Sequence, residues 1–524
     1  MQRYTIFSVA KITIAGLVVM MTILAMLPSC NKSVSGRTDN LPPLSPANED
    51  LNAGTWKTIL LTRPDTFAVT APSATSSPLY VAELNEIKGY QADMTNEQAG
   101  QIKYWSAGGV LRWNEIMRNL VAKYNLPPYQ NADGTYPIPS SNNPFAYPLF
   151  PFSNPPYAAR AYAYVSAAQY DALVACWHYK QLYKRPAPYL VDSTIKAYAT
   201  KTSLPSYPSE GAVLAGVTAE MMKLLFPDEI ASVQQQLQAQ ELSIIQSGAA
   251  TRSDVAAGEA LGRQVAEAFI TRARADNAGK AVGTPAIWAG FATQAKAAGQ
   301  VPWISLESPA RPPMLPLFGA VTPFLFDTAT VTALRPGPPP PTNSDEMKTQ
   351  TQQTYNYIKK PSREQMTIVQ FWADGAGTYT PPGHWDAIAA QDFITMNYSE
   401  VRWARNMALL NMSLMDAGIV CWATKYYYFN PRPTQMDGNI KTLTGIPNFP
   451  SYISGHATFS GAAATILGYI IPARAADYTA MAQQASLSRV YAGIHYPIDC
   501  STGLTVGQQV GNYAIKRATT DGAQ

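Results

Sequence analysis

Apolar residues recur at three- and four-residue spacing across 158–180, 211–226, 229–247 and 251–274, and again across 402–424, 455–470, 474–491 and 499–518. That is the period of a helix with a buried face, and proline or glycine separates the segments. Two-residue alternation, the mark of strands, is almost absent. The pattern predicts an all-α fold.

The two sets of segments read as copies of one unit. At a constant offset of 245 residues, Asp171, Cys176, Trp177 and Lys180 fall on Asp416, Cys421, Trp422 and Lys425, and Ala159-Arg160 falls on Ala404-Arg405. Ser243, Gly248, Asp254 and Gly258 fall on Ser488, Gly493, Asp499 and Gly503. GRQVAEAFITRARAD (262–276) aligns with GQQVGNYAIKRATTD (507–521), and, with a small shift, YWSAGG at 104 matches FWADGAG at 371. Similar composition in alanine-rich helices does not produce matched tryptophan, cysteine and aspartate. The expectation is two tandem, duplicated helical bundles packed together, with repeats at about 104–276 and 371–521. The N-terminal region then spans 55–276, a connecting region with the proline-rich loop RPGPPPPTNSDE spans 277–370, and the C-terminal bundle spans 371–524.

Upstream of the bundles, Arg3 and Lys11 lead into an apolar stretch that ends Leu27-Pro28-Ser29-Cys30. Residues 1–30 resemble a bacterial lipoprotein signal peptide. The resemblance implies cleavage before Cys30, a lipid on its thiol, and a membrane-anchored protein in the periplasm or on the cell surface, with 31–54 as a flexible tether. An uncleaved signal anchor is the alternative. No later apolar run reads as long enough to span a bilayer.

Charged residues make up 14% of the chain, against about 25% in ordinary soluble domains, and the 42 prolines and 30 tyrosines suit buried helices and long ordered loops. A net charge of +4 with no basic run argues against nucleic acid as a partner, so any anion site is local. Cys176, Cys421 and Cys500 have no metal-type spacing and are expected to be buried free thiols.

Candidate chemistry sits in the second copy. Lys425 and Arg432 flank YYYFNP, Ser454-Gly455-His456 opens a helix, and Ser488-Arg489 is followed by His495 and Asp499. Lys425, Arg432 and Arg489 can offset two or three negative charges, arginine with a fork that matches paired oxygens. Ser454 adds a hydroxyl, and the bare Gly455 lets an anion approach the backbone N–H groups of a helix start. His456 can pass a proton to that anion. Asp499, four residues after His495 and on its face if the segment is helical, would fix one ring nitrogen and leave the other as nucleophile or metal ligand. At the same offset, PSYPSEGA (205–212) lies over PSYISGHA (450–457), but Glu210 replaces Gly455, Gly211 replaces His456, Ile244 replaces Arg489 and Ala250 replaces His495. Lys180 and Arg185-Pro186 persist, two residues too close together. The first copy keeps the framework without the reagents.

Together these motifs resemble those of the vanadium-dependent haloperoxidases and the related type 2 phosphatidic-acid phosphatases. Trp422 three residues before Lys425, FWADG (371–375), TPPGHW (380–385) and PMLPLFGAVTPF (313–324) are similar to the haloperoxidase branch, whose fold is also a pair of helical bundles. Ile453 stands where the family usually has proline. The resemblance implies vanadate as cofactor, bound through its metal by His495 and through its oxygens by Lys425, Arg432, Ser454, Gly455 and Arg489. It makes His456 the acid–base group, Asp374 the partner of Arg489 and Phe449 a residue of halide handling. The implied reaction is halide oxidation by hydrogen peroxide. An acid phosphatase needing no cofactor, with His495 attacking a phosphomonoester, is the alternative on the same residues, and a lipoprotein that only binds phosphate is a third. Of the other histidines, His178 reads as a packing residue, and His384 as a structural residue in a loop near the pocket mouth.

Overall fold

The computed structural model describes residues 40–125, 154–307 and 310–523. The proposed signal with Cys30 and residues 31–39 of the tether lie outside them. The rest of the expected tether is not free: Leu44 and Ala47 donate backbone N–H bonds to the Ser106 and Asn397 carbonyls, Asp50 pairs with Arg402, and Ala53 is buried in the core. Residues from Leu41 onward cluster as one unit, and among the described residues there is no strand.

The first bundle comprises α1 (Pro78–Ala92), α2 (Asn96–Ser106), α3 (Gly109–Tyr124), α4 (Pro155–Tyr183), the single turn α5 (Pro188–Val191), α6 (Glu210–Leu225), α7 (Ile230–Gln246) and α8 (Arg252–Ala275). Two short helices follow, α9 (Pro285–Ala297) and α10 (Thr328–Ala333). The order then repeats as α11 (Asp345–Lys359), α12 (Arg363–Phe371), α13 (Thr380–Ile394), α14 (Glu400–Tyr428), α15 (Pro433–Met436), α16 (Gly455–Ile470), α17 (Ala475–Tyr491) and α18 (Pro497–Ala518). From α4 to α8 every helix start lies 245 residues before its twin. Helices α1 and α2 precede α11 and α12 by 267, and Thr95 and Ser362 close matching capping boxes on α2 and α12. The correspondence therefore reaches upstream of the residues whose identity survives.

The matched polar residues explain why they match. Asp171 accepts from the backbone N–H groups of Ile59, Leu60 and Leu61, and Asp416 from those of Phe324 and Leu325. Arg160 pairs with Asp276 as Arg405 pairs with Asp521 (2.8 and 2.7 Å). Each pair ties a central helix to the end of the last helix of its bundle. The central helices α4 and α14 pack against each other, and Asn411 donates to its own counterpart, Ser166, at 3.1 Å across that contact. Helices α6 and α8 approach closely at Gly262, where a Cβ would strike the Val213 carbonyl; Gly507 plays the same part beside Thr458 for α16 and α18. Cys176, Cys421 and Cys500 are buried free thiols.

One expectation from the sequence needs correction. The segment Glu400–Met436 is long and apolar enough, by length and composition, to cross a membrane. Its apolar surface is instead buried against α4, α16 and α18 in the core. A helix that is apolar all round belongs either in a core or in a bilayer, and packing decides between them.

Candidate active site

Five element ends of the second bundle meet at one place. Helix α14 stops at a left-handed Phe429 (φ 50°), which sets Lys425 in its last turn. Pro433 starts α15 and makes Arg432 its N-cap. Ser454 caps α16, its hydroxyl accepting from the Ala457 N–H, so the free N–H groups of Gly455 and His456 begin that helix. Arg489 lies in the last turn of α17, and α18 starts at Pro497. His495 thus precedes α18 rather than sharing a helical face with Asp499. The pair meets because Asp499, in the first turn, folds back over the helix start, where it also accepts from the Tyr496 N–H.

At this junction Lys425 is fully buried and donates to the carbonyls of Pro450 and Ser451 (2.9 and 2.8 Å). Arg432, also fully buried, donates to the carbonyls of Phe449 and Ile494. The Phe449 ring lies 4.9 Å from both cationic groups and 5.0 Å from the Trp422 ring. His495 Nδ1 lies 2.8 Å from Asp499 Oδ2, and its Nε2 lies 3.0 Å from Arg432 Nη1. A carboxylate can only accept from Nδ1–H and a guanidinium can only donate, so the neutral ring carries its lone pair on Nε2. Ser451, absent from the sequence-based set, donates to Asp499 Oδ2 at 2.6 Å. Its counterpart Ser206 is also a serine, so comparing the copies marks it as framework.

Burial sets the protonation states. It pushes Lys425 down to about 7, and Arg432 adds to the effect. Burial lowers Arg432 and Arg489 only to about 10, so both stay cationic at neutral pH. His495 falls well below its usual range through burial and the nearby charges of Arg432, Lys425 and Arg489. His456 falls to about 4 through burial and Arg489. Burial raises Asp499 to about 6 despite the Ser451 hydrogen bond and the charge of Lys425.

Asp374 does not pair with Arg489. Arg489 donates instead to the Ser488 hydroxyl and the Trp372 carbonyl (3.0 and 2.7 Å). Asp374 lies between two histidines, 2.9 Å from His384 Nδ1 and 3.5 Å from His456 Nε2. Burial would raise its carboxyl, but the bonds and charges of those histidines outweigh it and hold the group low. His384 belongs to helix α13, not to a loop, because the two prolines of TPPGHW form the first turn. His178 packs edge-on against Tyr179 in the first bundle.

Among the described residues the first bundle has no equivalent site. Glu210 accepts from the Trp177 indole at 3.0 Å and lies 3.6 Å from Lys180, so a side-chain carboxylate already faces that lysine. The helix register pairs Arg432-Pro433 with Ala187-Pro188, not with Arg185-Pro186. Arg185 sits at the position of Asn430 and faces Asp254 and Glu83 (3.4 and 3.7 Å).

The second site suits a tetrahedral oxyanion such as vanadate or phosphate. Arg432 Nη2 is buried without a hydrogen-bond partner among the described residues. Lys425, as an ammonium, has one hydrogen beyond the two given to carbonyls. A Cβ on Gly455 would meet the Trp422 and Phe459 rings only at ordinary contact distance, so no protein atom requires glycine there. Among the described residues no group of three histidine, cysteine or acidic side chains could hold a bare metal ion. The donor set holds oxygens, and His495 Nε2 adds a nitrogen lone pair that accepts from Arg432 Nη1.

A helical bundle with these cations gathered at one helix start defines a class. Residues 406–520, within the second bundle, match the family model of the PAP2 superfamily. Over nearly three quarters of the chain the fold is similar to that of vanadium-dependent haloperoxidases. A bacterial vanadium-dependent iodoperoxidase superposes with TM-score 0.54 at 22% identity, over 72% of this chain and 94% of its own. The holo form of a bacterial vanadium-dependent chloroperoxidase gives 0.50 at 12% identity, over 73% and 96%. No curated protein sequence gives a significant match.

Proposed function

We propose that the protein is a vanadate-dependent haloperoxidase that oxidises halide with hydrogen peroxide. The observation that carries the reading is His495 Nε2, kept as a lone pair by Asp499 and aimed among three buried cations. The fold, similar to that of haloperoxidases over 72–73% of the chain, favours this reading over a small phosphatase. Lys425, Arg432 and Arg489 would neutralise the oxygens, Ser454 and the N–H groups of Gly455 and His456 would orient them, and His495 Nε2 would bind the metal. When bound, vanadate supplies Lewis-acid activation of peroxide without changing oxidation state. His456 moves the proton, and Phe449 and Trp422 keep water from the cations. One of these neighbours is an iodoperoxidase and the other a chloroperoxidase, so the shared fold does not select the halide.

The alternative follows from the superfamily match at 406–520. His495 Nε2 would attack the phosphorus of a phosphomonoester, His456 would protonate the leaving alcohol, and water would release phosphate from the histidine. The test is a pair of assays on one preparation. Vanadate-loaded protein should oxidise iodide, bromide or chloride with peroxide and lose this in His495→Ala; failure with all three halides sinks the first reading. Vanadate-free protein that hydrolyses a phosphomonoester, with inhibition by vanadate, would establish the second. We propose as well that a lipid on Cys30 anchors the protein outside the cytoplasm. Incorporation of a fatty-acid label, lost in Cys30→Ala, tests it.

A further inference from the structure

The loop that ends α12 serves two groups of the site at once. The Trp372 carbonyl accepts from Arg489, and two residues later Asp374 holds a left-handed backbone (φ 45°) that any residue but glycine adopts at a cost. That turn buries the carboxylate between two imidazoles, Oδ1 toward His384 Nδ1 and Oδ2 toward His456 Nε2. His384 is itself locked. Its ring lies 4.6 Å from Trp372, 4.9 Å from Phe371 and 6.2 Å from Tyr379, and the Trp372 indole is pinned by Gln484 at 2.9 Å. With His384 donating to Oδ1, the carboxylate cannot rotate without losing that bond, so Oδ2 stays directed at His456.

The first bundle provides an internal comparison. Aligning Trp105 with Trp372 and Trp113 with Trp385 places Ala107 under Asp374 and Arg112 under His384, while Gly211 lies under His456. All three members are missing together where the anion site is missing. Ala107 has an ordinary helical backbone (φ −73°), and Arg112 turns to Glu115 on its own helix at 2.9 Å and to the Tyr104 carbonyl. Packing of α13 alone therefore does not require a histidine at this position.

We infer that His384 is a positioning residue for the proton-transfer group: through Asp374 it keeps His456 in the Nε2–H tautomer, leaving Nδ1 to exchange a proton with the bound anion. This rests on the reading of His456 as acid–base group. Carboxylate partners behind a histidine fix which nitrogen holds the proton, and here the carboxylate is in turn held by a second histidine. The role differs from that of Asp499, which orients the histidine that binds rather than the one that moves the proton.

The chain has only four histidines, so selective isotope labelling of histidine gives four ring signals that single substitutions assign. In anion-free wild-type protein His456 should read as the Nε2–H tautomer. His384→Phe should turn it into a mixture and lower kcat about tenfold, with KM little changed, in whichever turnover the protein shows. His384→Asn, whose amide nitrogen replaces Nδ1, should restore both. In an Asp374→Asn background His384→Phe should add nothing. Should His384→Phe fail to fold, His384→Gln, which displaces the donor, takes its place. An unchanged His456 tautomer, or a loss that adds in full to that of Asp374→Asn, overturns the inference. The tautomer is read without turnover, so absence of halide oxidation or phosphate release would not be mistaken for failure of this relay.

Discussion

Oxyanion affinity should fall as pH rises through 7, and Lys425 is the reason. As an ammonium it has three hydrogens, two of which are bound by the Pro450 and Ser451 carbonyls, leaving one for an anion. As a neutral amine it has two, both already taken. Burial and Arg432 push it down to about 7 in the anion-free protein, whereas a bound anion would restore the charged form. The bound state therefore holds the proton more tightly, and affinity must be greater at lower pH. Affinity should fall about fivefold from pH 7 to 8 and about tenfold from 8 to 9, roughly fiftyfold in all. Asp499 and His456 titrate below this window, at about 6 and about 4, and Arg432 and Arg489 above it. Sulfate is the suitable probe because its own charge does not change there. Isothermal titration calorimetry at pH 8, in two buffers of different ionisation heat, should show about one proton taken up per sulfate bound. Lys425→Met should bind weakly and without pH dependence. Constant wild-type affinity from pH 7 to 9 with no proton uptake would refute the reasoning.

Three further outcomes follow from the same contacts. Asp499→Asn should weaken vanadate binding about 10- to 100-fold, measured by competition against phosphate, because the carboxylate that fixes the His495 tautomer is gone. Glu210→Ala should leave turnover nearly intact while His456→Ala lowers kcat about 10²- to 10⁴-fold; comparable losses would mean that the first bundle takes part. Gly507→Ala should destabilise the protein by about 1–3 kcal/mol in thermal denaturation, because its Cβ strikes the Thr458 carbonyl where α16 meets α18.

The helices, the duplication and most of the candidate site were legible along the chain because each depends on local spacing or on paired identities. Apolar residues three and four apart need only a helix to share a face. Asp171 with Asp416, and Arg160 with Arg405, persist because each tethers a segment that would otherwise leave buried groups unpaired. Lys425, Arg432, Ser454, Gly455, Arg489 and His495 stand out because they occur together in one copy and not in the other. What the linear order could not state is which side chain faces which. Asp374 turned from Arg489 to two histidines because a left-handed turn at the end of α12 aims it there. Ser451 joined the site although its counterpart is the same residue, since its partner Asp499 is 48 positions away. The Glu400–Met436 segment carries the composition of a membrane span, and only its burial between the two bundles makes it a core helix. Spacing within a helix is a property of sequence, but the protonation of Lys425 and the neighbours of Asp374 depend on burial and on segments brought together by folding.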